Sequence, residues 1–192
     1  MHSNEVVDVF KQTGALLEGH FLLSSGLHSP VYLQCAIALQ SPAIAAKFGR
    51  AIADQFREHA IDTVASPAIG GLIIGYEVAR QLEVRFIWTE RENGLMTLRR
   101  GFTVREGERV LVVEDVITTG GSTRDTINAL SAAGAKVVAA ASIIDRSGGA
   151  ADVGVPRFSL ATLNVPSVSA GNCEACGRGE KAVKPGSRKT IV

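Results

Sequence analysis

Residues 109–123, Arg-Val-Leu-Val-Val-Glu-Asp-Val-Ile-Thr-Thr-Gly-Gly-Ser-Thr, constrain this chain more than any other stretch. So continuous an apolar run reads as a strand buried on both faces, the kind found in parallel sheets covered by helices. It delivers Glu114 and Asp115 to the carboxyl edge of the sheet, where open α/β sheets bind ligands. Val116 and Ile117 follow, and then Thr118, Thr119, Gly120, Gly121, Ser122 and Thr123 lead into a helix. Here the glycines admit close backbone approach, the first helical N–H groups point outward and the hydroxyls add donors, so the segment suits a phosphate monoester. Two acids beside an anion site would repel the ligand unless they hold something else. Ribose hydroxyls fit them, directly or through hydrated Mg²⁺, which takes one or two carboxylates together with substrate oxygens and water. An ordinary strand–turn–helix explains the apolar run but not the acid pair and the hydroxyl-rich loop. Gly-x-x-x-x-Gly-Lys is absent, as is Gly-x-Gly-x-x-Gly after the first strand, which argues against nucleoside triphosphate and dinucleotide sites.

Around this segment helical and strand patterns alternate, which predicts an α/β fold: a Rossmann-like, mostly parallel sheet flanked by helices. Residues 3–13 carry Val6, Val7, Val9 and Phe10 at helical spacing, and 21–23 and 31–35 read as short strands around Ser24, Ser25 and Gly26, forming a small hood. Ser41 and Pro42 start a helix with Ile44, Phe48, Ile52 and Phe56 on one stripe, ending near Glu58. A buried strand at 63–66 runs into the loop 67–71, helical spacing resumes over 72–82, and 84–89 is the next strand. Residues 91–101 are polar and glycine-broken and read as a loop, too polar to pack. A helix over 122–133 and a strand over 136–145 follow. The expectation is one domain over 1–192, with a hood contribution from 1–40, the α/β core over 41–165 and an irregular tail with little core over 166–192.

Composition narrows the function classes. With 20 Lys and Arg against 19 Asp and Glu the net charge is +1, which gives no general field for nucleic acid or anionic membrane, so any anion must be bound locally. No stretch reaches the roughly 18 apolar residues of a membrane helix, and the first residues carry Glu5, Asp8 and Lys11 instead of a secretory core, so a cytoplasmic protein is expected. Three cysteines are too few for a disulfide framework. Cys173 and Cys176 have the spacing of half a zinc site, but only Cys35 and four scattered histidines remain to complete it.

The chain resembles the type I phosphoribosyltransferases, whose signature is a strand, two adjacent acids and a Thr–Gly-rich loop for the 5′-phosphate of phosphoribosyl pyrophosphate (PRPP). The resemblance runs over nearly the whole chain and narrows to the orotate-specific branch of that family. Residues 19–32 look like its hood, with Ser25 and Gly26 closing over the base and His28 a candidate to face it. Ala68, Ile69, Gly70 and Gly71 look like its pyrophosphate loop. Residues 91–100, with Arg91, Arg99 and Arg100, stand where the family has a mobile catalytic loop that reaches the neighbouring subunit of a homodimer. Arg146, at the end of the next strand, stands where the family meets the orotate carboxylate. The bland reading of Arg146 is a solvated strand end, and that of Arg99 and Arg100 a solvated charge pair. The signature reverses that weighting, because an arginine fork matches a planar carboxylate in two-point fashion.

The resemblance implies an enzyme of UMP biosynthesis that joins PRPP to orotate, with Mg²⁺ held by Glu114 and Asp115. Those acids, the loop arginines, residues 68–71 and residues 116–122 would bind PRPP, while Ser25, Gly26, Thr118 and Arg146 would bind orotate. The sequence departs from the family at three lysines. Gly70 and Ser24 stand at two of those positions, and no lysine occurs between Arg85 and Arg109. Arginine in that loop can neutralise a leaving pyrophosphate but cannot release a proton at ordinary pH, so its role would be electrostatic. Two other readings compete: a purine-base phosphoribosyltransferase, which offers Arg146 no carboxylate, and a regulator that keeps the fold only to sense PRPP.

Overall fold

The computed structural model describes residues 1–23 and 26–184. Six strands form the main sheet in the order β5-β4-β3-β6-β7-β8: β3 (Thr63–Pro67), β4 (Arg85–Glu92), β5 (Leu95–Leu98), β6 (Arg109–Ile117), β7 (Lys136–Asp145) and β8 (Arg157–Thr162). All neighbours are parallel except β5, which returns antiparallel to β4. Chain order reverses between β3 and β6, so their carboxyl ends open a crevice at the switch point, the place where such sheets hold ligands.

Alternation along β6 shows why the strand is apolar throughout. Leu111 and Val113 face α1 (Ser3–Gln12), α2 (Cys35–Leu39), α3 (Pro42–Ala53) and α4 (Leu72–Leu82). Val110 and Val112 face Ile127 and Leu130 of α5 (Gly121–Ala132). All four valines and leucines are fully buried, each removing roughly 1.5–3 kcal/mol worth of side chain from water. The sequence-based outline of α3, β3, α4, β6, α5 and β7 thus matches to within a few residues, apart from α3, which gives way to turns after Ala53.

Four features differ from expectation. Helix α1 belongs to the main core through Val6 and Phe10, so the hood is reduced to the antiparallel hairpin β1 (Leu16–Leu22) and β2 (His28–Leu33), and Cys35 opens α2 instead of ending a strand. Residues 91–98 are ordered as the end of β4 and all of β5, with Met96 buried. The turn between them is Asn93–Gly94, both at positive φ, as a type I′ hairpin demands. Strand β8 has no counterpart in the sequence reading. The stretch after residue 165 is irregular and carries no buried residue among those described, but it is tied down: Val168 exchanges backbone hydrogen bonds with His28, and Val183 bonds to His20 and Leu22, so 166–183 lies across the hood. No helix among the described residues is long and apolar enough to cross a membrane.

Candidate active site

The crevice is a cleft of about 950 Å³ between the hood and the carboxyl edge of the sheet. Its walls carry Asp115, Thr118, Thr119 and Arg146 from the sheet edge, Tyr32 and Gln34 from the hood strand and its exit, and Asn164 to Ser167 from the segment after β8. Opening from the same loop, a second pocket of about 90 Å³ is lined by Glu114 and residues 116–123. Gly120 takes φ +75, and a methyl group there would stand 2.8 Å from Cγ1 of Val153, so only glycine lets this turn lie down before α5. The N–H groups that start α5 are thereby left to point into a pocket the size of one small anion.

The acid pair sits in low dielectric. Glu114 is 8% exposed and its Oε2 has no hydrogen-bond partner among the described residues. Burial, reinforced by the neighbouring Asp115, pushes its carboxyl well above the ordinary range. Asp115 is raised mainly by burial too, although its Oδ1 accepts the Val116 N–H at 2.8 Å. An orphaned buried carboxylate oxygen beside an anion pocket is the signature of a site built for a ligand that donates hydrogen bonds or carries positive charge. Ribose hydroxyls and a hydrated divalent cation both satisfy it, so the residues present fit Mg²⁺.

The loop after β3 closes on this pair. A methyl group on Gly70 would meet Oδ1 and Oδ2 of Asp115 at 2.8 and 3.0 Å, so the loop backbone lies directly against the carboxylate, and the Ala68–Ile69 peptide is cis. A side chain at 70 has no room without moving the loop. Ile69 projects outward and is 84% exposed, and Gly71 packs on β6 and β3.

Arg146 reaches the cleft because Asp145 anchors its loop. That carboxylate is 1% exposed, accepts from Ser147 N–H and Oγ and from Gly149 N–H, and pairs with Arg157 at 2.6 Å. Although burial acts to raise it, these bonds hold its pKa below the usual value. The Arg146 guanidinium itself makes one long bond, 3.4 Å to Ser29 Oγ, and pairs with no carboxylate among the described residues. Burial lowers its pKa, so this half-buried cation faces the cleft uncompensated.

The three loop arginines do not line the cleft. Arg91 pairs with Asp125 at 2.9 Å, Arg99 lies 3.4 Å from Glu92, and Arg100 holds Glu90 at 2.7 Å, keeping that carboxyl down to about 2. His28 also turns away from the cleft, its Nδ1 lying 2.7 Å from Nε2 of His20. Ser25 falls outside the described residues, and Gly26 is exposed in the hairpin turn. Tyr32, Gln34 and Asn164 were not singled out from the sequence, because nothing in their spacing marks them, although Tyr32 ends the hood segment.

A family model for the phosphoribosyl transferase domain matches residues 37–165. An orotate phosphoribosyltransferase of Caldicellulosiruptor saccharolyticus is 51% identical over 98% of this chain and 99% of its own. The chain belongs to the orotate phosphoribosyltransferase family. A second family member, from Pelotomaculum thermopropionicum, is likewise 51% identical over 98% of the chain and all of the relative. The crystal structure of the Aeropyrum pernix orotate phosphoribosyltransferase superposes with a TM-score of 0.70 at 30% identity, covering 82% of this chain and 93% of that one. The residues matched by the family model take in β3 to β8 and the acid pair with its hydroxyl-rich loop.

Proposed function

We propose that the chain transfers the 5-phosphoribosyl group of PRPP to orotate, giving orotidine 5′-phosphate and pyrophosphate in the cytoplasm as a step towards UMP. The observation that carries the choice of base is Arg146, a half-buried guanidinium that faces the cleft without an anionic partner among the described residues. Orotate differs from uracil by one carboxylate, and a purine base has none to offer.

In this reading the 5′-phosphate sits on Thr118 to Ser122 at the start of α5, and Glu114 and Asp115 hold the ribose hydroxyls. Residues 68–71 present backbone to the pyrophosphate, and Gly26, Thr118 and Arg146 orient orotate beneath the hood. N1 of orotate, attacking as the deprotonated anion, then displaces pyrophosphate with inversion, the N1–C1 bond forming as the bond from C1 to the pyrophosphate oxygen breaks. The protein's share is positioning and electrostatics: it aligns the reactants, supports positive charge on the ribose with its carboxylates and keeps water out. Mg²⁺, held by Glu114, Asp115 and substrate oxygens, would neutralise charge on the leaving pyrophosphate.

Arg91, Arg99 and Arg100 serve the neighbouring subunit of a homodimer. Two facts support this: none of them reaches the cleft of its own chain, and α4 and β4 expose Ile73 and Tyr76 beside Phe86 and Trp88, an apolar depression suited to a partner. Their ion pairs lie at the surface, where water screens them, so a substrate can redirect them.

The test is the loss of orotate absorbance with PRPP and Mg²⁺, run beside adenine, guanine and hypoxanthine. Turnover of orotate alone is the expected result. Turnover of a purine, or tight PRPP binding with no turnover, would overturn the reading.

A further inference from the structure

On the outer side of the hood, away from the cleft, His20 and His28 meet Cys173 and Cys176. His20 stands on β1 and His28 on β2, both at most 9% exposed, while Cys173 stands just before the short α6 (Glu174–Gly177) and Cys176 lies within it. One ligand atom from each of the four lies within 4.8 Å of the others. Cys173 Sγ is 3.3 Å from His20 Nε2, Cys176 Sγ is 3.3 Å from His28 Nδ1, and Cys176 Sγ is 3.7 Å from His20 Nε2. Both thiols are free.

Zinc bonds of about 2.0 Å to nitrogen and 2.3 Å to sulfur make a coordination tetrahedron whose nitrogen–sulfur edges are about 3.5 Å. The three nitrogen–sulfur separations straddle that value. The two ring nitrogens, at 2.7 Å, are closer than the tetrahedral edge of about 3.3 Å and would part as an ion enters. The outer support of a metal ligand is present as well. His20 Nδ1 lies 3.1 Å from the Glu180 carbonyl oxygen, which can only accept, so Nδ1 carries the proton and Nε2 turns its lone pair into the cluster.

We propose that His20, His28, Cys173 and Cys176 form a structural site for one zinc ion. Two thiolates and two imidazoles in a closed, four-ligand arrangement select a tetrahedral, borderline-soft divalent cation over Mg²⁺ or Ca²⁺. The ion ties the segment carrying Cys173 and Cys176 to the hairpin, which has few apolar anchors of its own beyond Phe21, Leu33 and the Phe21–Tyr32 ring contact. Leu23 and Leu27 of the hood and Pro166 and Ser167 of that segment all line the cleft, and His28 pairs with Val168 beside them, so the site also holds this part of the lining together. This inference stands whatever base the cleft binds.

The test uses the full chain purified without chelator. Elemental analysis is expected to give one zinc per chain, and replacement by Co²⁺ to give the thiolate charge-transfer and intense visible bands of a tetrahedral cobalt–sulfur centre. Both signals are lost in C173S/C176S and kept in Cys35→Ser. Wild-type protein that takes up neither metal stoichiometrically, cobalt bands that survive C173S/C176S, or a Cys173–Cys176 disulfide in place of the metal would overturn the proposal. The cobalt spectrum of the wild type decides the matter even if the double variant fails to fold.

Discussion

Replacing Arg146 by alanine is the sharpest test of how the cleft reads its base. A guanidinium and a carboxylate about 4 Å apart attract by about 4 kcal/mol at the effective dielectric of a protein surface. Desolvation offsets part of this, leaving a net contribution of about 2 kcal/mol for a charged hydrogen bond. At 1.4 kcal/mol per decade that is about a thirtyfold loss. It falls on kcat/KM for orotate and appears mainly in KM, while KM for PRPP changes less than threefold by the same order-of-magnitude reasoning. The fold is expected to survive, because the side chain's one direct hydrogen bond among the described residues is the 3.4 Å contact to Ser29. Initial rates of orotidine 5′-phosphate formation, with each substrate varied in turn, measure both constants, and a thermal melt checks the fold. Arg146→Lys should fall between the two, keeping the charge but losing the fork. Equal losses for both substrates would falsify the assignment of Arg146 to the base, and an unchanged KM for orotate would remove it from the site.

Gly70→Ala should raise KM for PRPP several-fold with little change in melting temperature, since the new methyl group pushes the loop off the Asp115 carboxylate; unchanged PRPP kinetics would refute the close approach. Glu108 is buried, which acts to raise its pKa, but bonds from Arg105 N–H, Thr63 and Arg85 lower it to about 2. Its folded value is thus below the unfolded value of 4.5, so its contribution is complete above 4.5 and is lost as pH falls towards 2. Denaturant melts of Glu108→Gln should show a deficit of about 1–2 kcal/mol at neutral pH that shrinks across that window; a deficit independent of pH would contradict the ionic account. A protein with Arg91, Arg99 and Arg100 all changed to Ala, and another with Asp115→Asn, should each be nearly inactive alone. After subunit exchange roughly a quarter of wild-type activity should return, since half the dimers are hybrids with one intact site each; no recovery despite proven exchange would put the arginines in their own subunit's site.

The parts of this fold that were legible in the sequence are those where local pattern and burial agree. Strand β6 is apolar on both faces because helices cover both, and its acids and glycines stand at the switch point that the pattern implies. The hairpin of β4 and β5 was legible too, through Asn93–Gly94, but the charge of Arg91, Arg99 and Arg100 hid it, since ion pairs along its rim let polar residues order without a core. Strand β8 is a half-polar edge strand whose Phe158 and Leu160 alternate with Arg157 and Ser159, a weak signal in so short a run. The pairing of His20 and His28 with Cys173 and Cys176 was not legible at all. Residues more than 140 positions apart meet only through the crossing of the hood by the later segment, and nothing local encodes that crossing.

That crossing sets an order of events during synthesis. Strands β3, β6 and β7, with α4 and α5, can pack as soon as residue 145 is clear of the ribosome, whereas the hood hairpin waits for partners that include Val168 and Val183. The part of the cleft lining built by residues 164–167 is thus the last to be made, and a chain cut before residue 166 would lack Pro166 and Ser167 from its cleft.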